Sequence, residues 1–268
     1  MVLQDSIERE KKGIDYIYSE QDKLILKKML SEVNALLNTN LQYLAELDLL
    51  NIVGVGKIYI NWIDKFSSET IKSILLYQIV LEKVKDSDLI AIRLYNSFKA
   101  SNEYIAPKGM PSPAHIYVRY DNVFSTLKSK RIQDELLNLM KNPRDAFYLP
   151  FTLKMLAAKK IPEVKEILIS YLDENNLDCE ALGIDNSNDY YPPLEFIQRE
   201  LKFSCVYGLR YYQDQNVLRI LEKFLNTTDE DIKDATRKTL KFIETHRAKW
   251  ISKASADFSA LAFILNYR

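Results

Sequence analysis

The chain has 268 residues, of which 47% are hydrophobic and 28% are charged, a balance typical of a folded protein rather than a disordered one. Its 37 basic residues are matched by 37 acidic residues, which excludes a net field that would draw the whole molecule to nucleic acid or to an anionic membrane. Only six Gly and eight Pro are present, so turns are few and long helices are favoured over a sandwich of short strands.

The N-terminal region, residues 1–50, is predicted to be a helical cap of two or three helices with an apolar face at helical spacing. That face comprises Leu26, Met29, Leu30, Val33, Leu36 and Leu37. The chain turns charged soon after its first residues, without the apolar stretch of a secretion signal. Its apolar runs are far shorter than the roughly 20 residues that cross a bilayer, so we expect a cytoplasmic protein that makes no membrane contact.

An internal repeat follows between residues 51 and 247. The copies cover residues 55–64, 132–140, 164–173 and 217–225. Each copy places apolar residues at i, i+4 and i+8, which is one stripe of an α-helix. The preceding helix aligns as well, because Leu156 and Leu209 each stand eight residues ahead of the next copy. The repeating unit is therefore predicted to be a helix pair.

Two loops interrupt this region, at residues 99–115 and 175–193. Together they contain most of the prolines of the chain, and each contains one glycine. Long connections in helical proteins are uncommon and frequently functional. The second loop is acidic and aromatic, a composition that suits a protein contact with tyrosine anchors, and a partly mobile insertion without function is the alternative. Its candidate binding residues are Asp185, Asp189, Tyr190 and Tyr191.

The last segment, residues 248–268, predicts a capping helix, because the end repeat of an array otherwise exposes its hydrophobic side. Its apolar positions at helical spacing are Phe258, Leu261, Ala262 and Leu265.

The stretch from Cys205 to Ala235 resembles HEAT repeats most closely. Gly208 and Leu209 match the small and apolar end of the family's first helix, and Ile232 with Lys233 stands where the family usually has Val-Arg. The resemblance covers residues 51–247 and is to stand-alone bacterial HEAT-repeat proteins. It implies an all-α fold, a right-handed α-solenoid of about five helix pairs with helical caps, forming one continuous domain.

A second group of candidate binding residues lies at the end of a predicted helix, beside the turn within a repeat. Arg210, Tyr211 and Tyr212 are of the types that dominate protein interfaces, because they add contact area at little cost in entropy. Burial of the tyrosine rings between helices is the alternative. Trp62, in contrast, aligns with aromatic residues of later copies and is predicted to lie in the core.

No catalytic arrangement is evident in the sequence. It has no phosphate-binding Gly-rich loop, no zinc-protease histidine pair and no nucleophile elbow. Two Cys and two His are too few for an ordinary zinc site, so we expect no metal, no other cofactor and reduced, idle thiols. The acidic pair Asp229 and Asp231 is interpreted as the start of a helix rather than as a catalytic pair.

The resemblance implies protein scaffolding. We therefore expect a monomeric, non-enzymatic protein that binds another protein as an adaptor or an inhibitor, with a toxin-neutralising immunity role included by analogy. It would use the concave face of the solenoid and the two loops. Two other groups resemble HEAT-like arrays and give alternative functions, the alkylpurine DNA glycosylases and the bilin lyases. Nucleic acid is not the expected partner, because Lys165, Arg219 and Lys223 are interleaved with acidic residues.

Overall fold

The computed structural model is built from helices. It describes residues 2–12, 19–50, 52–101, 114–127, 129–184 and 191–265. Side chains are described in these ranges except at residues 2, 48, 49 and 248–265. Within these ranges there are fifteen α-helices, four single-turn 3-10 helices and no strand, so the predicted all-α fold class is confirmed for the part of the chain that the structure describes.

The chain divides into two compact units. Unit 1 holds residues 1–138 and 187–191, and unit 2 holds residues 139–186 and 192–268. The helices of unit 1 are α1 (Val2–Lys11), α2 (Glu20–Leu37), α3 (Leu44–Leu49), α4 (Gly56–Trp62), α5 (Glu69–Leu81), α6 (Ser87–Ala100), α7 (Ala114–Thr126) and most of α8 (Gln133–Met140). Helix α5 is central, because it contacts α3, α4, α6 and α7.

Unit 2 is organised around one long helix, α13. Its helices are α9 (Pro143–Tyr148), α10 (Pro150–Ala158), α11 (Pro162–Ser170), α12 (Cys179–Leu182), α13 (Leu194–Gly208), α14 (Gln215–Lys223) and α15 (Glu230–Leu265). Helix α13 contacts α9, α10, α11 and α15, and α14 also packs on α15. Helix α13 approaches α11 closely at Gly208, where a Cβ atom would lie only 3.0 Å from the side chain of Leu168.

The apolar stripes of the four sequence copies are buried. Val55, Tyr59, Ile63, Ile132, Leu136, Met140, Val164, Leu168, Leu172, Val217 and Leu221 are all at most 9% exposed. The last position of the last copy, Leu225, is half-buried. Trp62 is also buried, as predicted, and its indole N–H donates to Glu32 at 2.8 Å. The four copies fall on α4, α8, α11 and α14 and the turns next to them, so their predicted helical character is confirmed.

Helix α4 begins without a local side-chain cap and is capped from a distance. The backbone N–H groups of Gly54, Val55 and Gly56 all donate to the Glu82 carboxylate, at 2.9 to 3.0 Å. Gly54 adopts φ = 94°, a left-handed conformation that favours glycine. Glu10 does the same for α3, since its two carboxylate oxygens accept the N–H groups that begin that helix. These carboxylates satisfy N–H groups that a helix start leaves unpaired.

Three elements differ from the sequence prediction. Leu36, assigned to the apolar face of α2, is 58% exposed, so that face ends one turn earlier. The loop predicted at residues 175–193 contains a 3-10 turn, Glu174–Asn176, and the short helix α12. The chain from Glu230 to Leu265 forms one helix, whereas a separate capping helix was expected from residue 248.

Asp229 begins α15, as its acidic pattern predicted. Its Oδ1 accepts hydrogen bonds from the N–H groups of Asp231 and Ile232, at 3.0 and 3.1 Å, and its Oδ2 accepts one from Arg199 at 2.8 Å. Arg199 also contacts the Asp231 carboxylate. Partial burial alone raises the pKa of Asp229, but the hydrogen bonds from Ile232 and Arg199 outweigh it and hold this pKa below its usual value.

We expect Asp229→Ala to lower the free energy of unfolding by about 1 kcal/mol near neutral pH, because the cap of α15 is lost. A lowered folded-state pKa contributes stability above the ordinary Asp pKa, and this contribution is lost as the pH falls through the folded value. The difference from wild type should therefore shrink at about pH 3. Asp229→Asn keeps a capping oxygen but not the charge, so its free energy of unfolding should lie between those of wild type and Asp229→Ala. Urea unfolding at both pH values measures this, and a deficit that is unchanged in acid would contradict it.

Candidate functional site

The predicted binding residues differ in how far the structure buries them. Arg210 and Tyr211 are half-buried, on the 3-10 turn that follows α13. Tyr212 is buried, and its hydroxyl donates to the carbonyl oxygen of Ile161 at 2.8 Å, which is the alternative that the sequence left open. Tyr191 is 7% exposed and therefore also buried. The remaining candidates lie outside the described residues; they are Asp185, Asp189 and Tyr190.

Arg210 and Tyr211 belong to a larger group of half-buried side chains on α13, the turn after it and α15. We name this group the Arg210 cluster; its members are Phe203, Tyr207, Arg210, Tyr211, Phe242 and His246. The guanidinium carbon of Arg210 lies 4.6 Å from the ring centre of Tyr207 and 5.0 Å from that of Phe242. Both rings are thus within cation–π distance of the same cation.

Other ring contacts extend the cluster on both helices. Phe203 and Tyr207 stand one helical turn apart on α13, with ring centres 4.8 Å apart. On α15, Phe242 stacks on His246 at 3.8 Å, and the Nδ1 atom of His246 lies 2.8 Å from the Phe242 carbonyl oxygen. Tyr211 meets Phe242 edge to face at 6.2 Å. Spacings of four residues put each pair on one side of its helix, so packing of α13 on α15 brings the two pairs together.

Fully buried residues of α13, the turn after it and α15 adjoin the cluster in sequence. Cys205, Val206 and Leu209 are fully buried on the inner side of α13 and the turn that follows it. The hydroxyl of Thr239, also fully buried, donates to the Val206 carbonyl oxygen at 3.2 Å and ties α15 to α13. The cluster therefore lies on a packed support, as rigid binding surfaces do.

Arg210 differs electrostatically from three other arginines of the protein, Arg93, Arg131 and Arg199. Arg93 pairs with Asp64 at 2.7 Å, and Arg131 and Arg199 pair with two aspartates each. Among the described residues, by contrast, no carboxylate or carbonyl accepts a hydrogen bond from the Arg210 guanidinium, and its Nε atom is buried without a hydrogen-bond partner. The nearby cation Lys238 is already paired with Asp234, at 2.5 Å.

The remaining polar chemistry is dispersed. Cys205 is enclosed in apolar surroundings that raise the pKa of its thiol, and Cys179 lies on a different helix, α12. His115 contacts Thr70 at 3.2 Å in unit 1, whereas His246 is in unit 2. No group of three or more potential metal ligands occurs among the residues described. In the same part of the chain, no helix has both the length and the apolar character needed to cross a membrane.

Two pockets lie outside the cluster. A pocket of about 640 Å³ in unit 1 is lined by Lys11 and Lys23, which pair with Glu8 and Glu20. A groove of about 790 Å³ between α14 and α15 in unit 2 combines apolar residues with charges of both signs. The Arg210 cluster combines contacting aromatic rings with a guanidinium that has no acidic partner among the described residues, so we take it as the candidate functional surface.

Comparison with known proteins adds no identity to this geometry. No family model matches the chain, and neither a curated protein nor a solved structure matches it.

Proposed function

We propose that this protein is a non-enzymatic binding protein, an adaptor or inhibitor of another protein, built as a right-handed HEAT-like α-solenoid. The stripes at i, i+4 and i+8 are buried in three sequence copies, and at i and i+4 in the fourth. They support the architecture, because stacked helix pairs bury such stripes against each other. The close approach of α13 to α11 at Gly208 supports it as well, since the small residue stands where HEAT repeats have one.

The Arg210 cluster is the observation that carries the proposed function. Tyrosine, phenylalanine and arginine are the side chains that dominate binding energy at protein interfaces, most of all where they are rigid before binding. In this cluster each ring contacts another ring or the guanidinium, and buried residues lie behind them. A partner that covers the cluster would therefore order few side chains, which lowers the entropic cost of binding.

Quantitative affinity capture with matched variants tests this proposal. The tagged wild-type protein, Tyr211→Ala and Tyr77→Ala serve as baits in lysate of the source cells. Tyr77 is a half-buried tyrosine of α5, outside the cluster, so it controls for the loss of one tyrosine. We expect one protein to be recovered in stoichiometric amount with wild type and Tyr77→Ala, and at least about tenfold less with Tyr211→Ala. Equal recovery by all three baits, or no stoichiometric protein, would refute the proposal.

A further inference from the structure

We infer that the Arg210 cluster recognises an aspartate or glutamate carboxylate on an acidic segment of the partner protein. The inference rests on the proposed function and names the chemistry of the partner at that same site.

The Arg210 guanidinium contacts two aromatic rings. The rings of Tyr207 and Phe242 hold the group at 4.6 and 5.0 Å, so its orientation is set before any ligand binds. Its Nε atom is buried, which leaves the edge formed by the two terminal nitrogens to face a ligand. A carboxylate can accept two parallel hydrogen bonds from that edge, an arrangement in which Arg is superior to Lys.

Three other arginines have a carboxylate partner, whereas Arg210 has none among the described residues. Arg93, Arg131 and Arg199 each have their carboxylate within the protein, and all three are thereby neutralised locally. Arg210 contacts two aromatic rings instead and has no acidic partner among the described residues. A cation that is ordered in advance and not neutralised is complementary to an anion supplied by another molecule.

The charges around the cluster favour a discrete carboxylate over a nucleic acid. A nucleic-acid surface neutralises several phosphates at once and needs a run of cations. On α15, however, acidic residues are interspersed among the basic ones: Asp234 pairs with Lys238, and Glu244 lies between Phe242 and His246 in the sequence. An extended chain of phosphates would meet these acids, whereas one carboxylate would meet Arg210 and the flanking rings. The rings would pack against an apolar or aromatic neighbour of the acidic residue.

Fluorescence anisotropy with two peptide probes tests the inference on the wild-type protein. The first probe is a short labelled peptide in which glutamate alternates with tyrosine, and the second has glutamine in place of every glutamate. We expect the glutamate peptide to bind about tenfold or more tightly than the glutamine peptide, since hydrogen bonds between charged groups are stronger than neutral ones. Equal affinity for the two peptides would overturn the inference, and this comparison needs no variant.

Variants then locate the preference for glutamate. Arg210→Gln should abolish it, and Arg210→Lys should reduce it, because lysine keeps the charge but loses the planar fork. Arg219→Gln removes the same charge from an exposed position on α14 and should leave the preference intact. Circular dichroism confirms that each variant is folded. Loss of the preference in Arg219→Gln to the same extent, or tighter binding of a single-stranded oligonucleotide than of the glutamate peptide, would overturn the inference.

Failure of this inference can be told apart from failure of the proposed function. If a captured protein depends on Tyr211 but the two peptides bind equally, the proposed function holds and the inference of a carboxylate ligand is refuted. If capture recovers no protein that depends on Tyr211, the proposed function fails whatever the peptides show.

Discussion

Phe98→Ala is expected to lower the free energy of unfolding by about 3–5 kcal/mol, the largest effect that we predict for a single substitution. Phe98 is fully buried in an aromatic core formed by α6 and α7. Its ring meets Tyr117 edge to face at 5.1 Å and stacks on Tyr120 at 5.8 Å. Alanine would leave a cavity that the surrounding rings cannot fill without losing their contacts with Tyr95.

Phe196→Ala is the matched control for this prediction. Phe196 lies on α13 and is 46% exposed, so the same substitution removes little buried area. We expect a change within about 1 kcal/mol, measured by urea unfolding and by the shift in Tm. Equal losses in the two variants would show that the aromatic core of unit 1 does not stabilise the fold in the way we describe.

Arg144→Met should destabilise unit 2 by about 2–3 kcal/mol, because it removes a buried charged donor from two backbone carbonyl acceptors. Arg144 is 2% exposed on α9, and its Nη1 donates to the carbonyl oxygens of Leu182 and Gly183, at 3.4 and 2.5 Å. These carbonyls end α12, where a helix leaves acceptors unpaired. Methionine fills similar space but cannot donate, so α12 should detach from α9.

Thiol labelling reports this detachment directly. Cys179 lies on α12, whereas Cys205 is fully buried on α13. We expect Arg144→Met to raise the labelling rate of Cys179, as identified by mass spectrometry, and to leave Cys205 slow. Arg93→Met is the control, since the ion pair of Arg93 with Asp64 is more than half exposed and contributes at most about 1 kcal/mol. An unchanged rate at Cys179 would refute the role given to Arg144.

Periodicity made the helices predictable. Apolar residues at i, i+4 and i+8 share one side of a helix, and the scarcity of Gly and Pro favoured helices over strands. Val164 and Leu168 are buried as a helical stripe requires. The same reasoning failed at Leu36, which is 58% exposed, because spacing does not show where a neighbouring helix ends. It also missed Arg144, since an arginine at a helix start is ordinarily a surface residue.

The candidate site was predictable only in part. Arg210 and Tyr211 were predicted from residue type, whereas Phe242 and His246 were not. More than thirty residues of sequence separate the second pair from the first, and only the packing of α15 on α13 brings the two pairs together. Tyr212 is adjacent to Tyr211, yet the 3-10 turn directs it inward to Ile161. The sequence did carry one signal for the rest of the cluster: Phe203 and Tyr207, and likewise Phe242 and His246, are spaced four residues apart, as on one side of a helix.

The distant cap of α4 has a consequence for the order in which this chain acquires structure. Glu82 lies 26 to 28 residues after the N–H groups that it accepts, beyond the end of α5. Starting a helix is costly, and a seven-residue segment without its cap does not persist alone in water. During synthesis on the ribosome, we therefore expect α4 to become stable only after Glu82 has left the exit tunnel, together with α5 rather than before it.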